Sequence, residues 1–111
     1  MDYEIIKAKV IDKLSLIFDP ELPVNIYDLG LIYGISFEVK DNYLHCKVDM
    51  TLTSPSCPVS DTLMQEVYQF TKVIEEIDEV EINLVFDPPW DNDKISKQGK
   101  EVLELHGFVF P

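Results

Sequence analysis

Two runs of alternating residues constrain the fold of this chain most strongly. Apolar or aromatic side chains recur at every second position through residues 31–39 and again through residues 44–52. A period of two places successive side chains on opposite faces of a strand, so each run predicts a β-strand with one buried face. Because only the segment KDN (40–42) and one further residue separate the runs, they predict an antiparallel β-hairpin.

The rest of the pattern predicts three helices and one more strand. Apolar residues recur at helical spacing up to Phe18, over 59–77 and over about 92–106, and alternation returns over 80–86. The prolines of DPELP end the first helix, and Gly107 ends the last. The predicted order is therefore α-β-β-α-β-α. Since all three strands bury one face, we predict an α+β fold of two layers, with helices on one face of a small three-stranded mixed sheet.

Size and charge restrict the class of protein. The 111 residues predict a single domain spanning 1–111. A net charge of −12 disfavours nucleic-acid binding, because phosphates would be repelled; it favours solubility, or attraction of a basic partner or a metal cation. No apolar run approaches the ~20 residues of a membrane span, and the start MDYEIIKAKV lacks the layout of a secretory signal. We therefore expect a cytoplasmic protein without membrane association.

The two cysteines, Cys46 and Cys57, are expected to have different roles. The chain has no C-x-x-C motif and only two histidines, so a closed zinc site within one chain is not expected. Cys46 falls on the inward face of the second predicted strand and is interpreted as a core thiol. His45 is its outward-facing neighbour and is interpreted as a solvated side chain, as is His106 near a helix end.

Cys57 lies in the segment LTSPSCPVSD, where a strand gives way to a helix. Pro58 suits the first helical position, which makes Cys57 the predicted N-cap. The unpaired N–H groups and partial positive charge of a helix N-terminus favour a thiolate, so we predict a pKa below the ~8.5 of a free thiol. Thr53, Ser54 and Ser56 place hydroxyl donors beside it. The alternative is that Cys57 only caps the helix and the hydroxyls satisfy the turn.

Several kinds of thiol chemistry lack the residues they need. A phosphatase nucleophile needs an arginine six residues later, where Leu63 stands, and thioredoxin-type exchange lacks its second cysteine. A protease-like dyad lacks a suitable histidine. Handling of a metal or cluster by one exposed thiolate remains. One thiolate is too few for a cluster, which is usually held by four cysteines, so a second subunit, a partner protein or a small thiol would supply the rest. This favours transient handling and admits a homodimer.

Three segments, DPELPVNIYDLGLIYGI, MTLTSPSCP and DPPW, together resemble the PaaD/SufT-like family of iron–sulfur cluster assembly proteins. The resemblance runs from about Ile5 to Gly107. It implies a small α+β fold and a role in passing iron or iron–sulfur clusters to apo-proteins, with iron–sulfur scaffold or carrier proteins and apo-protein clients as partners. The family's reactive cysteine falls on Cys57, which is then the thiolate that contacts iron or a transiently held cluster.

The acidic loops and the tryptophan of the family pattern also have structural interpretations. Asp19 to Glu21 could form a helix terminator and turn, and Asp28 to Gly30 a turn with a positive φ at Gly30. Trp90 could close the core edge or belong to a partner surface. If the acidic loops lie beside the cysteine, their carboxylates could help to bind iron. The family positions are Asp19, Pro20, Glu21, Pro23, Asp28 and Gly30 in the acidic loops, Thr51 and Thr53 among the hydroxyls, and Pro88, Pro89 and Trp90 in the late motif.

These observations leave three functional hypotheses. The leading one is a non-enzymatic maturation factor of the short bacterial or archaeal type, since the cysteine-rich C-terminal extension of members devoted to phenylacetate oxidation and the longer N-terminal region of eukaryotic members are both missing. The alternative is a thiol-dependent oxidoreductase or sulfur-transfer enzyme with Cys57 as nucleophile. The third is a plain interaction module in which Cys57 has no chemical role.

Overall fold

The computed structural model describes residues 2–19, 22–53 and 60–108. Within these ranges the predicted order α-β-β-α-β-α is confirmed, with a short 3₁₀ turn before the last helix. No described helix is both long enough and apolar enough to cross a bilayer. The elements are α1 (Tyr3–Leu14), β1 (Ile32–Lys40), β2 (Tyr43–Met50), α2 (Ser60–Lys72), β3 (Glu79–Leu84), the 3₁₀ turn (Asn92–Lys94) and α3 (Lys97–Leu105).

The sheet is mixed, as predicted, and β2 is its central strand. β1 pairs with β2 in antiparallel fashion, and β3 pairs with β2 in parallel fashion. The hairpin turn between β1 and β2 has positive φ angles of 53° at Asp41 and 68° at Asn42. A two-residue turn with both central residues in the left-handed region matches the twist of the flanking strands, and Asp and Asn tolerate that region better than most residues.

The buried residues of the helices and of the central strand form one hydrophobic core. Alternate residues of β2, including Cys46, are buried, while the intervening residues are exposed or half-buried. The predicted face and the core position of Cys46 are therefore confirmed. The main core residues of these elements are Ile6, Val10 and Leu14 of α1, Leu44, Cys46, Val48 and Met50 of β2, and Leu63 and Val67 of α2.

The first two helices are shorter than the apolar spacing predicts. α1 ends at Leu14 rather than at Phe18, yet Ile17 is still buried. Its carbonyl oxygen accepts a hydrogen bond from the N–H of Ile26 (2.9 Å), and Phe18 forms an isolated bridge with Asn25. An apolar residue at helical spacing was thus buried by a loop. Similarly, α2 ends at Lys72, and the buried residues 74 and 77 lie in the turns that follow it.

The last predicted helix is divided in two. After the 3₁₀ turn the backbone is extended at Ile95 (ψ 132°), whose side chain is buried, and α3 begins only after Ser96. The Ser96 hydroxyl caps α3 by accepting a hydrogen bond from the N–H of Gly99 (3.0 Å). At the other end, Gly107 has a φ of +93°, which confirms the predicted stop.

Burial of Cys46 predicts a loss of stability in alkali. Desolvation raises the pKa of the Cys46 thiol to about 11, because the thiolate would be removed from water. In the unfolded chain the thiol ionises at lower pH, so stability is retained in neutral solution and decreases as the pH rises from about 9 towards 11. We expect this thiol to account for a loss on the order of 2 kcal/mol.

Urea unfolding at pH 8 and at pH 10.5 measures this loss. The matched control is Cys46→Ala, which removes the buried thiol and changes no other side chain. The variant should show a smaller alkaline decrease than the natural protein. Equal decreases in the two proteins would contradict the assignment.

The candidate functional site where the three motif segments meet

The strand register places three ends of the sheet side by side. Ile32 at the start of β1 pairs with Met50 at the end of β2, and Met50 pairs with Leu84 at the end of β3. We call this end of the sheet, marked by Ile32, Met50 and Leu84, the motif edge. The loop before β1, the segment after β2 and the segment after β3 all adjoin it. These are the three segments that carry the family resemblance.

The acidic loop before β1 uses one of its carboxylates internally. Asp19 is 8% exposed, and its Oδ2 accepts a hydrogen bond from the N–H of Leu22 (3.1 Å). The N–H of Asp19 donates to the carbonyl oxygen of Val24 (3.3 Å). Asp19 therefore closes the turn of this loop, as the turn interpretation expected. Pro20 and Glu21 lie outside the described residues.

The DLG sequence forms the predicted turn. The N–H of Asp28 donates to Asn25 Oδ1, and Asn25 Nδ2 donates to Asp28 Oδ2, each at 2.9 Å. Gly30 has a φ of +79°, which confirms the predicted positive φ. An added Cβ at Gly30 would overlap the backbone carbonyl of Lys94. Glycine is thus required here both by backbone conformation and by the close approach of the segment after β3.

The segment after β3 covers this turn. Trp90 is half-buried against the core, and its indole N–H donates to the carbonyl oxygen of Leu29 (2.7 Å). The hydroxyl of Tyr33, at the start of β1, donates to the carbonyl oxygen of Pro88 (2.7 Å). Pro88 and Pro89 are exposed. The late motif therefore combines an anchored tryptophan with an exposed proline pair.

Two residues that the sequence reasoning missed fasten the same segment further along. Ser96 donates its N–H to the carbonyl oxygen of Asp28 (2.7 Å) and its hydroxyl to Asp28 Oδ1 (3.1 Å). The second residue is Asn25, which forms the hydrogen bonds to Asp28 described above. Ser96 carries one sequence signal, since a serine directly before a helical pattern is a typical N-cap. Asn25 carries none, because its partner is defined only by the turn.

The segment after β2 joins the first segment through its backbone. The N–H of Thr51 donates to the carbonyl oxygen of Leu31 (2.8 Å). Thr51 is fully buried, and its hydroxyl has no hydrogen-bond partner among the described residues. Thr53 is half-buried. The other predicted residues of this segment, Ser54, Ser56 and Cys57, lie outside the described residues, so their roles and the lowered pKa of Cys57 stay predictions.

A metal site is not assembled by the described side chains alone. Within residues 2–19, 22–53 and 60–108, no group of three or more His, Cys, Asp or Glu side chains could hold a metal ion. The described cysteine, Cys46, is buried in the core.

Known proteins match this chain over most of its length. The family model for iron–sulfur cluster assembly proteins matches residues 7–84. An Fe–S protein maturation auxiliary factor of Porphyromonas gingivalis is 38% identical and aligns over 90% of each chain. The Fe–S protein maturation auxiliary factor YitW of Bacillus subtilis is 35% identical over 92% of this chain and 97% of its own. The crystal structure of a domain of unknown function from Bacillus anthracis superposes with a TM-score of 0.81, at 31% identity over 92% of this chain and 94% of that one.

Fold and motif placement define a small two-layer α+β protein whose three motif segments share one edge of a mixed sheet. Because the family model and the relatives match this chain over most of its length, the chain belongs to the family of iron–sulfur cluster assembly proteins, in its SufT/PaaD-like group.

The two positive-φ glycines offer a test of how closely the segments approach. Gly107→Ala introduces strain at φ +93° but contacts nothing within 4 Å, so it should cost about 1 kcal/mol. Gly30→Ala adds overlap with the Lys94 backbone to comparable strain, so it should cost more than about 2 kcal/mol. Urea unfolding of both variants measures the difference. Equal losses of stability in the two variants would show that the segment after β3 does not lie in close contact with the turn at Gly30.

Proposed function

We propose that this protein is a non-enzymatic maturation factor that assists transfer of iron or an iron–sulfur cluster to apo-proteins. The observation that carries the proposal is the meeting, at the motif edge, of the described parts of the three segments on which the family resemblance rests. The names of the relatives support the iron–sulfur role, and they describe auxiliary factors rather than enzymes.

Cys57 is the proposed contact for the cargo. It is encoded between Thr53, the last described residue of the second segment, and α2, which begins at Ser60. Cys46 cannot replace it, because that thiol is buried and its pKa is raised to about 11. In this proposal Thr53, Ser54 and Ser56 act as nearby hydroxyl donors, and the buried Thr51 anchors the segment that bears them.

The cargo is proposed to be held only in transit. Clusters in proteins are usually bound by four cysteines, and one thiolate from this chain leaves the other positions to a second copy, a partner protein or a small thiol. Such an incomplete site suits a carrier, because ligands from an acceptor can displace the temporary ones. The cytoplasm, where thiols remain reduced, is the compartment that fits this chemistry.

The exposed part of the late motif is the proposed partner surface. Pro88 and Pro89 are exposed beside the anchored Trp90, and Phe86 just before them is 44% exposed. Apolar and aromatic side chains are enriched at protein interfaces. A scaffold, carrier or apo-protein client docked here would lie near the end of β2, and Cys57 follows that strand in the sequence.

Anaerobic reconstitution of the full chain with ferrous iron and sulfide tests the cargo contact. Cys57→Ser should abolish both cluster absorption and transfer to an apo-ferredoxin acceptor. Cys46→Ala, the matched control, should retain both, because its thiol faces the core. Retention of transfer by Cys57→Ser would contradict the proposal, and a persulfide or sulfenate that turns over on Cys57 would favour the enzyme hypothesis instead.

Alkylation rates measured against pH test the state of the same thiol. In the native protein Cys57 should react with an apparent pKa below the ~8.5 of a free thiol, because a helix N-terminus and hydroxyl donors favour its thiolate. Cys46 should stay protected until the protein unfolds. Protection of Cys57 in the native protein would remove it as a contact for any cargo.

A further inference from the structure

We infer that Asp28 is a positioning residue whose carboxylate fastens the segment after β3 to the DLG turn, and that it is not a ligand for iron. The inference rests on the proposed function and deepens it by assigning a role to one of the acidic residues of the family pattern. It is carried by the hydrogen bonds between Asn25, Asp28 and Ser96, which we call the clasp.

Every polar group of Asp28 is engaged inside the clasp. Its N–H donates to Asn25 Oδ1, and its carbonyl oxygen accepts from the N–H of Ser96. Its Oδ2 accepts from Asn25 Nδ2 (2.9 Å), and its Oδ1 accepts from the Ser96 hydroxyl (3.1 Å). Metal coordination by this carboxylate would compete with donors that the chain itself supplies.

The direction of the hydrogen bonds shows what the clasp joins. The Ser96 hydroxyl accepts from the N–H of Gly99 and donates its only proton to Asp28. The hydroxyl thus connects the N-terminus of α3 to the turn, and the negative carboxylate lies on the favourable side of the helix dipole. The Asp28 charge therefore has a structural use at this position.

The clasp and Trp90 hold the two ends of one stretch of chain. Trp90 is bound to the carbonyl oxygen of Leu29, and Ser96 is bound to Asp28. Between them the Lys94 backbone lies against Gly30. Loosening of the Ser96 end would free one end of the stretch between Trp90 and Ser96, so Trp90 would be held less firmly beside the rest of the motif edge, while the Tyr33 hydroxyl would still bind the carbonyl oxygen of Pro88.

Exchange of the side chains at positions 25 and 28 distinguishes a positioning role for Asp28 from a role as a metal ligand. In Asp28→Asn alone, the side chain at position 28 has one oxygen and one NH2 where the carboxylate had two acceptors, so either the hydrogen bond from Asn25 Nδ2 or the one from the Ser96 hydroxyl loses its acceptor. In the double variant Asn25→Asp/Asp28→Asn, the new carboxylate accepts from both the backbone N–H and the side-chain amide of position 28. The amide oxygen at position 28 still accepts from Ser96. The double variant keeps the net charge and every hydrogen bond, but it moves the carboxylate away from position 28.

The experiment compares the natural protein, Asp28→Asn and the double variant. Trp90 is the only tryptophan of the chain, so acrylamide quenching of its fluorescence reports on the segment directly. Transfer of a reconstituted cluster to apo-ferredoxin reports on function. Asp28→Asn should increase the quenching constant and slow transfer about tenfold, which is the size of effect expected from the loss of about one hydrogen bond. The double variant should restore both measurements to within about twofold of the natural protein.

Each outcome supports or overturns the inference. Restoration of quenching without restoration of transfer would show that a carboxylate is needed at position 28 itself, as a ligand would be. No effect of Asp28→Asn on either measurement would also overturn it. If Asp28→Asn fails to fold, Ser96→Ala and Ser96→Thr replace it: the alanine should impair both measurements, and the threonine, which retains the hydroxyl, should rescue them.

A separate arm distinguishes this inference from the proposed function. If Cys57→Ser transfers the cluster as fast as the natural protein, the proposed function fails. The clasp is then still judged by Trp90 quenching in Asp28→Asn and in the double variant. An unchanged quenching constant in Asp28→Asn would overturn the clasp while leaving the role of Cys57 intact.

Discussion

The pairing of the central strand with two neighbours of opposite direction is the constraint on which the rest of this structure depends. β2 runs antiparallel to β1 and parallel to β3, so the start of one neighbour and the end of the other lie beside the end of β2. Three segments that are far apart in the sequence therefore emerge at one edge. A purely antiparallel meander would have sent the segment after β3 to the opposite end of the sheet.

Hydrogen bonds between these segments fix their positions relative to one another. Each segment is bound to its neighbour by at least one hydrogen bond with a backbone carbonyl as acceptor: Thr51 to Leu31, and Trp90 to Leu29. Backbone acceptors change little with side-chain substitution, so the arrangement tolerates variation in the exposed residues around it. The two cysteines have different roles in this arrangement: Cys46 contributes to the core, while the proposed role in cargo handling belongs to Cys57.

The sequence predicted the elements well because their signals are local. Alternation and helical spacing are read within short windows, and they identified the hairpin, the third strand, the inward face that includes Cys46 and the glycine turns at Gly30 and Gly107. Local spacing was misleading at Ile17, which is buried by a loop. It also missed the break before Ser96, where a buried residue and a cap interrupt an otherwise helical pattern.

The site was less predictable because its contacts are not local. The Ser96 hydroxyl and Asp28 are 68 residues apart, and the Trp90 indole and Leu29 are 61 apart. No periodicity encodes such pairs. The family resemblance identified Asp28 and Trp90 as important positions, but it could not distinguish an iron-binding carboxylate from one engaged in hydrogen bonds. Nothing in the pattern indicated Asn25.

The central claim is that cargo is handled at the motif edge. Paramagnetic broadening of backbone amide signals in the anaerobically reconstituted protein measures the position of iron directly, because broadening falls steeply with distance from the metal. We predict that the amides of 29–31, 51–53, 86, 87 and 90 broaden first, while those of the hairpin turn at 41–42, at the opposite end of the sheet, stay sharp. Broadening centred on the hairpin turn, or spread evenly over the acidic surface, would contradict it.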